Sequence, residues 1–541
     1  MKRSMSKRIG AWLAAVVLVG AMTGCGSTGT TATPASTPTP TASASTTPVP
    51  SESAPPQPSI DTSKRVELQF YMLGNAPRDL QTIQDKINEL ALKDLNCTVV
   101  YNFTTWSDTS TKYNLLLASG QNVDLLFTAE WMNYNQYAKK GAFLALDTIV
   151  PKAAPELWSF VPESFWNAVK VSGQIYTIPA TWKEYVPGGI VYREDLRKKY
   201  GCPEIKDLAS LEVYLDAIKK NEPEMMPTLE LPADWGIGGP GFSAFGPVFD
   251  HQHATSLPLA YGLYNDYKNP SQLLNYWESD AFVSDMKLLQ RWQEKGFWSK
   301  SALSTKEYPP DQFETGKVGA LLGSNPVKFA TTLGKVKSTQ PDWEVGFLSA
   351  PEVSGYVEPV HPVHNGFAVP KSSQNAERAV AFYSKMVLDK TYNYLTQYGI
   401  EGVNFNISQD GYYEMIGDTT TNGFMRENMN GWAWRNPEIQ LFDRSFDTVL
   451  NIFEMYETSP DIVVSDNLYG GFVEDITPYQ AERAALFQVQ SQYLVPLQGG
   501  FVDDVEKGVA LFREKAKAAG LEKIQQEFTS QWQAYCKEIG K

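Results

Sequence analysis

Apolar side chains occupy every second position at Val66, Leu68, Phe70 and Met72, the period of a strand with one buried face. Beyond Pro77 the spacing opens to three and four, through Leu80, Ile83, Ile87 and Leu90, and predicts a helix. A second strand is expected over residues 98–103, a helix over 113–118, a buried strand over 123–127 and a further helix from about 131 to 140. Strand and helix in alternation predict an α/β fold with a parallel sheet wrapped by helices. In such sheets ligands meet the loops after the carboxyl ends of the strands, here 73–77, 104–108 and 128–134.

From about 191 to 344 the chain is richer in Trp, Tyr and Pro and carries long loops such as 231–247, so it reads as a second lobe. Gly173-Gln174 is a turn between two short apolar runs, so residues 174–179 are expected to form a strand leading into a crossover, which Pro179, Pro187 and Gly188-Gly189 punctuate as a hinge would. Ala379, Phe382, Tyr383 and Met386 share one helix face, with Asn375 placed to cap it. The chain ends in two amphipathic helices, Val505, Val509, Phe512, Ala516 and then Leu521, Ile524, Phe528, Trp532, Tyr535, separated by Gly520 as a helix stop. No internal repeat is present.

The first residues follow the basic, apolar, small-residue order of an export signal. The apolar run 9–22 is shorter than the roughly 20 residues needed to span a bilayer. Met22-Thr23-Gly24-Cys25 resembles the lipobox of bacterial lipoproteins, which implies a signal over 1–25 and acylation of Cys25. Residues 26–58 are almost all Thr, Ser, Pro, Ala and Gly with one charge, Glu52, so 26–62 is expected to be a disordered tether. Fully extended, it would reach roughly 100 Å from the membrane, which suits a cell wall without an outer membrane.

The sequence holds 47 Lys and Arg against 61 Asp and Glu, a formal charge of −14, with no basic run in the folded part; a nucleic-acid partner is not expected. Cys97, Cys202 and Cys536 allow one disulfide at most and form no CxxC, so buried free thiols are expected. The four histidines stand as His251-Gln252-His253 and His361-Pro362-Val363-His364, without HExxH or a Cys/His cluster, so neither metal nor cofactor is expected. Residues 238–241, Gly-Gly-Pro-Gly, lack the strand–loop–helix setting of a phosphate cradle, and there is no P-loop.

Several segments together resemble family 1 extracellular solute-binding proteins, the carbohydrate-binding components of ABC importers. They are 123–127 (VDLLF), 141–147 (GAFLALD), 172–179 (SGQIYTIP) with 191–196 (VYREDL), 313–320 (FETGKVGA) and 366–373 (GFAVPKSS), in family order. Residues 398–405 (YGIEGVNF) and the paired terminal helices resemble a subgroup with an extra C-terminal domain of unassigned function. The resemblance implies a two-lobe clamshell of the periplasmic-binding-protein kind, with crossings near 182–188, near 351–361 and beyond 399. The first lobe would take 63–182 and about 360–400, and the second about 183–359. Both would share the region from about 400 to 541. It also implies a membrane permease as partner, powered by a separate ATPase.

A pyranose has apolar C–H faces and a rim of hydroxyls, so its site needs aromatic rings for the faces and carboxylates or amides for the rim. The 14 Trp and 27 Tyr say little by number, because most aromatics build cores; position says more. Trp131, beside Glu130, follows a buried strand directly, where the resemblance places a ligand-stacking aromatic. Trp182 and Glu184 lie on the expected first crossover, where hinge packing is the competing use. Trp432 and Trp434, two apart in a Gly-bounded loop, would point to one side of an extended segment, and one of them is expected to face the cleft. Asn75 is a rim candidate or a turn former. Ser324-Asn325-Pro326 stands where relatives often carry a cleft-facing Gly-x-Trp; the Trp is missing, which leaves Asn325 as the candidate. No pair among the acids is singled out for glycoside cleavage, which needs two carboxyls about 5 to 10 Å apart. The expected function is therefore capture of an oligosaccharide for import, with no catalytic residue. A tethered glycan sensor or adhesin and an extracellular glycoside-active enzyme are the alternatives.

Overall fold

The computed structural model describes residues 60–105, 108–229, 260–300, 309–418 and 420–541. The signal, Cys25, most of the tether, the loop 231–247 with residues 238–241, His251 and His253 lie outside the described residues.

Val66–Leu73 pairs in parallel with Cys97–Thr104, from Val66 opposite Cys97 to Leu73 opposite Thr104, and on its other side with Leu125–Thr128. Gly366–Ala368 returns from far along the chain to run antiparallel against Leu125–Thr128. The alternation at the start of the first strand gives way to continuous burial from Phe70 to Leu73, as expected where helices cover both faces of a sheet. Helix Leu80–Leu95 buries Ile83, Ile87, Ala91 and Leu95 and ends at Asn96 in the left-handed conformation. The helix sought over 113–118 extends over Thr109–Ser119, and the strand sought over 123–127 starts at Leu125. Asp124 is buried there instead, accepting from the Gln69 N–H at 2.9 Å and the Ser373 hydroxyl at 2.7 Å. Asn375 does not cap the helix Ala376–Leu388 with its side chain, which donates to Asp124 instead.

The helix expected from 131 to 140 is broken. Glu130–Met132 is a single 3₁₀ turn, Asn133 takes φ 62°, and only Tyr134–Lys139 is α-helical. Asn tolerates that left-handed geometry better than most residues, so Trp131 stands on a tight turn and not on a helix body.

The second lobe's sheet runs Val345–Ser349, Gly189–Arg193, Val318–Ser324, Met226–Thr228. It is mixed: Gly189–Arg193 lies antiparallel to both neighbours, and only Val318–Ser324 with Met226–Thr228 is parallel. The strand ends Gly189, Ser324 and Ser349 meet at the edge where the chain arrives from the first lobe. A Cβ on Gly189 would lie 2.4 Å from the Phe347 ring, so a side chain at this entry point would have to displace that ring.

One core joins residues between Leu68 and Ile178 to residues between Val363 and Trp434. The other joins Ile190 through Ala350 to Phe472 through Cys536, so the terminal helices Val505–Ala518 and Leu521–Glu538 belong to the second lobe's core. They bury the predicted Val505, Val509, Phe512, Ala516, Leu521, Ile524, Phe528 and Trp532, and Cys536 is buried where Tyr535 is half-exposed. A smaller core around Tyr185, Val357, Phe446 and Tyr456 lies where the connections run. The first two connections form an antiparallel ribbon: Ile178 and Phe367 exchange backbone bonds, Ala180 N–H donates to Pro362, and Val360 N–H donates to Glu184. The third leaves the first core after Asn436, whose amide donates to the Val387 carbonyl. Cys97, Cys202 and Cys536 are free and buried. No described helix is long and apolar enough to cross a membrane.

Candidate functional site

The parallel strands of the first lobe end at Leu73, Thr104 and Thr128, and the loops beyond them surround a cavity of about 180 Å³. Leu73, Thr109 and Tyr113 line one part, and Trp131, Met132, Asn133 and Tyr137 the rest. None of these side chains is charged. Hydroxyls stand at the wall: Tyr137 donates to Asn114 at 3.0 Å, and the buried Tyr113 hydroxyl has no partner among the described residues.

Trp131 is 47% exposed, although its ring is held in place. The indole N–H donates to the His364 carbonyl at 2.9 Å, and the ring lies 6.0 Å from Phe127 and 6.4 Å from the His364 imidazole. Phe127 in turn meets Trp432, half-buried, at 6.4 Å edge-to-face. Trp131 and Trp432 thus form an aromatic surface over the buried Phe127 at the carboxyl end of the sheet.

Behind this surface, Glu130 Oε1 bonds His364 Nδ1 at 2.7 Å, while its Oε2 is buried without a partner among the described residues. Burial alone would lower the His364 pKa, but the bond and charge of Glu130, with Glu184 further off, raise it above the ordinary histidine value. His361, one turn earlier, has no such partner, and burial pushes it down to about 4. Its Nδ1 accepts from the Val363 N–H at 3.2 Å.

Glu184 meets Arg435 at 3.3 Å, and Arg435 grips Glu427 with Nε at 2.5 Å and Nη2 at 3.1 Å. Burial would disfavour the charge on Arg435, but the two carboxylates outweigh it and raise its pKa; Arg435 likewise overcomes burial at Glu427 and lowers that carboxyl's. Thr181 adds a bond from its hydroxyl to the Arg435 carbonyl. This triad locks the first connection to the loop that carries Trp432. Trp182 packs its ring 5.4 Å from Phe442, and its buried indole nitrogen has no partner among the described residues.

Of the residues singled out in the sequence, the structure brings Trp131, Glu130, Glu184 and Trp432 into one connected neighbourhood, with Trp182 at the hinge beside it. Trp434 is a correction: it is fully buried, donates to Thr396 at 3.2 Å and packs on Phe367 and Tyr383. The reason is local, because Gly431–Ala433 is a 3₁₀ turn and not extended, so rings two apart diverge. Asn325 is also corrected: its side-chain oxygen is committed to the Lys328 N–H at 2.9 Å, capping the helix Pro326–Thr339. Asn75 is exposed two residues past the first strand, with no side-chain bond among the described residues. Sequence reasoning missed His364, Arg435, Phe127 and the cavity-lining tyrosines. By sequence His361 and His364 stand out only as possible metal ligands. Their position just before the strand Gly366–Ala368, at a lobe crossing, was the available signal. Among the described residues no group of His, Cys, Asp and Glu could hold a metal ion.

Comparison with known proteins matches residues 77–392, more than half of the chain, to the model of the bacterial extracellular solute-binding proteins. Residues 468–537 match a domain of unknown function, DUF3502. A carbohydrate ABC transporter substrate-binding protein of Streptococcus pneumoniae is 22% identical over 494 residues, covering 88% of this chain and 92% of its own. The crystal structure of the N-glycan transport solute binding protein NgtS from S. pneumoniae superposes with a TM-score of 0.67 at 18% identity, covering 87% of this chain and 99% of that one. Its complex with Man1GlcNAc gives 0.59 at 18% identity, covering 87% and 100%. With two lobes, three connections and a matching family model over most of both, the chain belongs to the bacterial extracellular solute-binding proteins.

Proposed function

We propose that this protein captures a neutral oligosaccharide between its lobes and delivers it to a membrane permease driven by a separate ATPase. The observation that carries the reading is Trp131: a large aromatic face left exposed, but fixed by its indole bond, beside an uncharged cavity at the carboxyl ends of parallel strands. Such a face suits the C–H side of a pyranose, and the hydroxyls and amides around it suit the rim. Neutral ligands are favoured because no side chain lining the cavity is charged, and the nearby Glu130 and Glu184 are already engaged by His364 and Arg435. The pneumococcal relatives named for carbohydrate and N-glycan transport support the same class. Closure is a population shift: a glycan touching both lobes binds the closed state better, and only that difference drives the change.

Mass spectrometry of whatever co-purifies with the unrefolded protein tests the reading directly. A hexose-containing oligomer is expected; a peptide, or turnover of a bound glycan to shorter products, would overturn it. The reading includes a lipid anchor at Cys25 on the outer face of the cytoplasmic membrane, held by the long tether under a wall without an outer membrane. Cys25→Ala should release the protein to the medium or leave it unprocessed, as fractionation would detect. Mature protein still membrane-bound through its N-terminus would contradict the anchor.

A further inference from the structure

An open surface groove, of about 460 Å³, lies in the other lobe between the hairpin formed by Leu263–Asn265 and Leu273–Asn275 and the last helix, Leu521–Glu538. The helix contributes Gln525, Gln526, Thr529, Ser530 and Gln533, which is one continuous face at helical spacing. Leu263 and Leu273 supply the apolar part, and no lining side chain is charged.

The walls are fixed. Trp532 donates to the Pro270 carbonyl at 2.7 Å, Gln525 to the Tyr261 carbonyl at 2.8 Å, and Asn275 to Gln525 Oε1 at 3.2 Å, so the hairpin is fastened to the helix at several points. Polar capacity is nevertheless left over. Gln526, Ser530 and Gln533 are exposed along the groove, Thr529 is half-buried, and none of the four makes a side-chain hydrogen bond among the described residues.

We infer that this groove is a second glycan-binding site, taking a neutral, hydroxyl-rich sugar segment, and that it gives the C-terminal domain of unknown function a binding role. Amides and hydroxyls both donate and accept, as a pyranose rim requires, while two leucines offer a surface for C–H groups. The absence of charge argues against phosphate, peptide termini or uronates. The groove lies in a different core from Trp131, so the inference stands or falls independently of the first-lobe cavity.

Hydrogen–deuterium exchange on the mature protein, with maltoheptaose, Man5GlcNAc and an oligogalacturonate as probes at millimolar concentration, separates the two sites. At least one neutral probe should protect peptides covering 263–275 and 521–538. Both Thr529→Trp, which fills the groove, and the pair Gln526→Ala with Gln533→Ala should raise the half-protection concentration about tenfold, a loss of the size expected for removing key contacts. Thermal melting should show both variants folded, and protection of 129–133 should respond to Trp131→Ala only. Lack of protection at the groove with every neutral probe overturns the inference, whether or not the first-lobe cavity binds. So does protection that persists in both variants. Equal protection by oligogalacturonate would overturn the assignment to a neutral ligand.

Discussion

Truncating Trp131 to alanine removes the ring that forms one wall of the first-lobe cavity and most of its aromatic face. Trp131 is 47% exposed, so a sugar seated on it would remove ~120 Å² of an indole whose full burial is ~250 Å², about 3 kcal/mol at ~25 cal/mol per Å². Partial coverage and the ordering of the ligand reduce this to about 2 kcal/mol, or about thirtyfold in affinity. The effect on folding is smaller. The variant loses the bond to His364 and one edge of the Phe127 contact, together about 1 to 2 kcal/mol, against about 3 to 5 for a fully buried tryptophan. Titration calorimetry and thermal melting, run side by side on a glycan the parent binds, distinguish the two. Trp131→Phe should recover most of the affinity, because it restores a face without the indole N–H. An affinity in the folded fraction within about threefold of the parent, with a large drop in melting point, would refute the assignment and make Trp131 a core residue.

Arg435→Met should destabilise by about 3 to 5 kcal/mol, because it strands the buried Glu427 beside Glu184; pairing it with Glu427→Gln should restore much of the loss in chemical denaturation, and simple additivity would contradict the triad. His361 is held at about 4 against an ordinary 6.5, so the unfolded chain takes up the proton first, and stability drains away as pH falls from about 6.5 to 4 with a ceiling of about 3 kcal/mol. His361→Asn keeps an acceptor for the Val363 N–H without the titration and should flatten that part of the stability–pH curve; an unchanged acid limb would exclude His361 as its source. His364 works in the opposite sense: its raised pKa contributes stability that is full below about 6.5 and is lost at higher pH, and Glu130→Gln should remove that contribution, as melts across the range would show.

Much of the fold was legible because burial repeats with the period of each element. Leu521, Ile524, Phe528 and Trp532 marked the last helix because one face of it lies against the core; Val66, Leu68, Phe70 and Met72 marked the first strand because its start alternates, although both faces are buried from Phe70 on. Breaks were legible only where glycine or proline caused them. At Asn133 a left-handed turn interrupts what reads as one helix, and at 431–433 a 3₁₀ turn replaces an extended loop and sends Trp434 inward. Neither leaves a periodic trace. Residues such as His364 and Arg435 were hidden for another reason: they act on Glu130, Glu184 and Glu427 across tertiary contacts, from 8 to more than 200 positions away. Asn325 was misread because a polar side chain before a proline serves a cap as readily as a ligand.

What the structure adds is the connection between the cavity and the lobe crossings. Trp131 is fixed by a carbonyl, and Glu130 by an imidazole, both from His364. His364 belongs to the second crossing, whose neighbour Pro362 accepts from Ala180 and whose Val360 donates to Glu184 on the first. Glu184 then reaches Arg435 in the loop that carries Trp432. A ligand resting on Trp131 therefore rests on groups held by the crossings themselves and not on a lobe surface remote from them. The turn that carries the indole is tied to the second crossing at several points: the indole N–H and the Glu130 carboxylate both bond His364, and the Glu130 N–H donates to the Val363 carbonyl at 3.2 Å. A glycan that touched both this ring and the second lobe would bind the closed state better than the open one, which is the differential affinity closure requires.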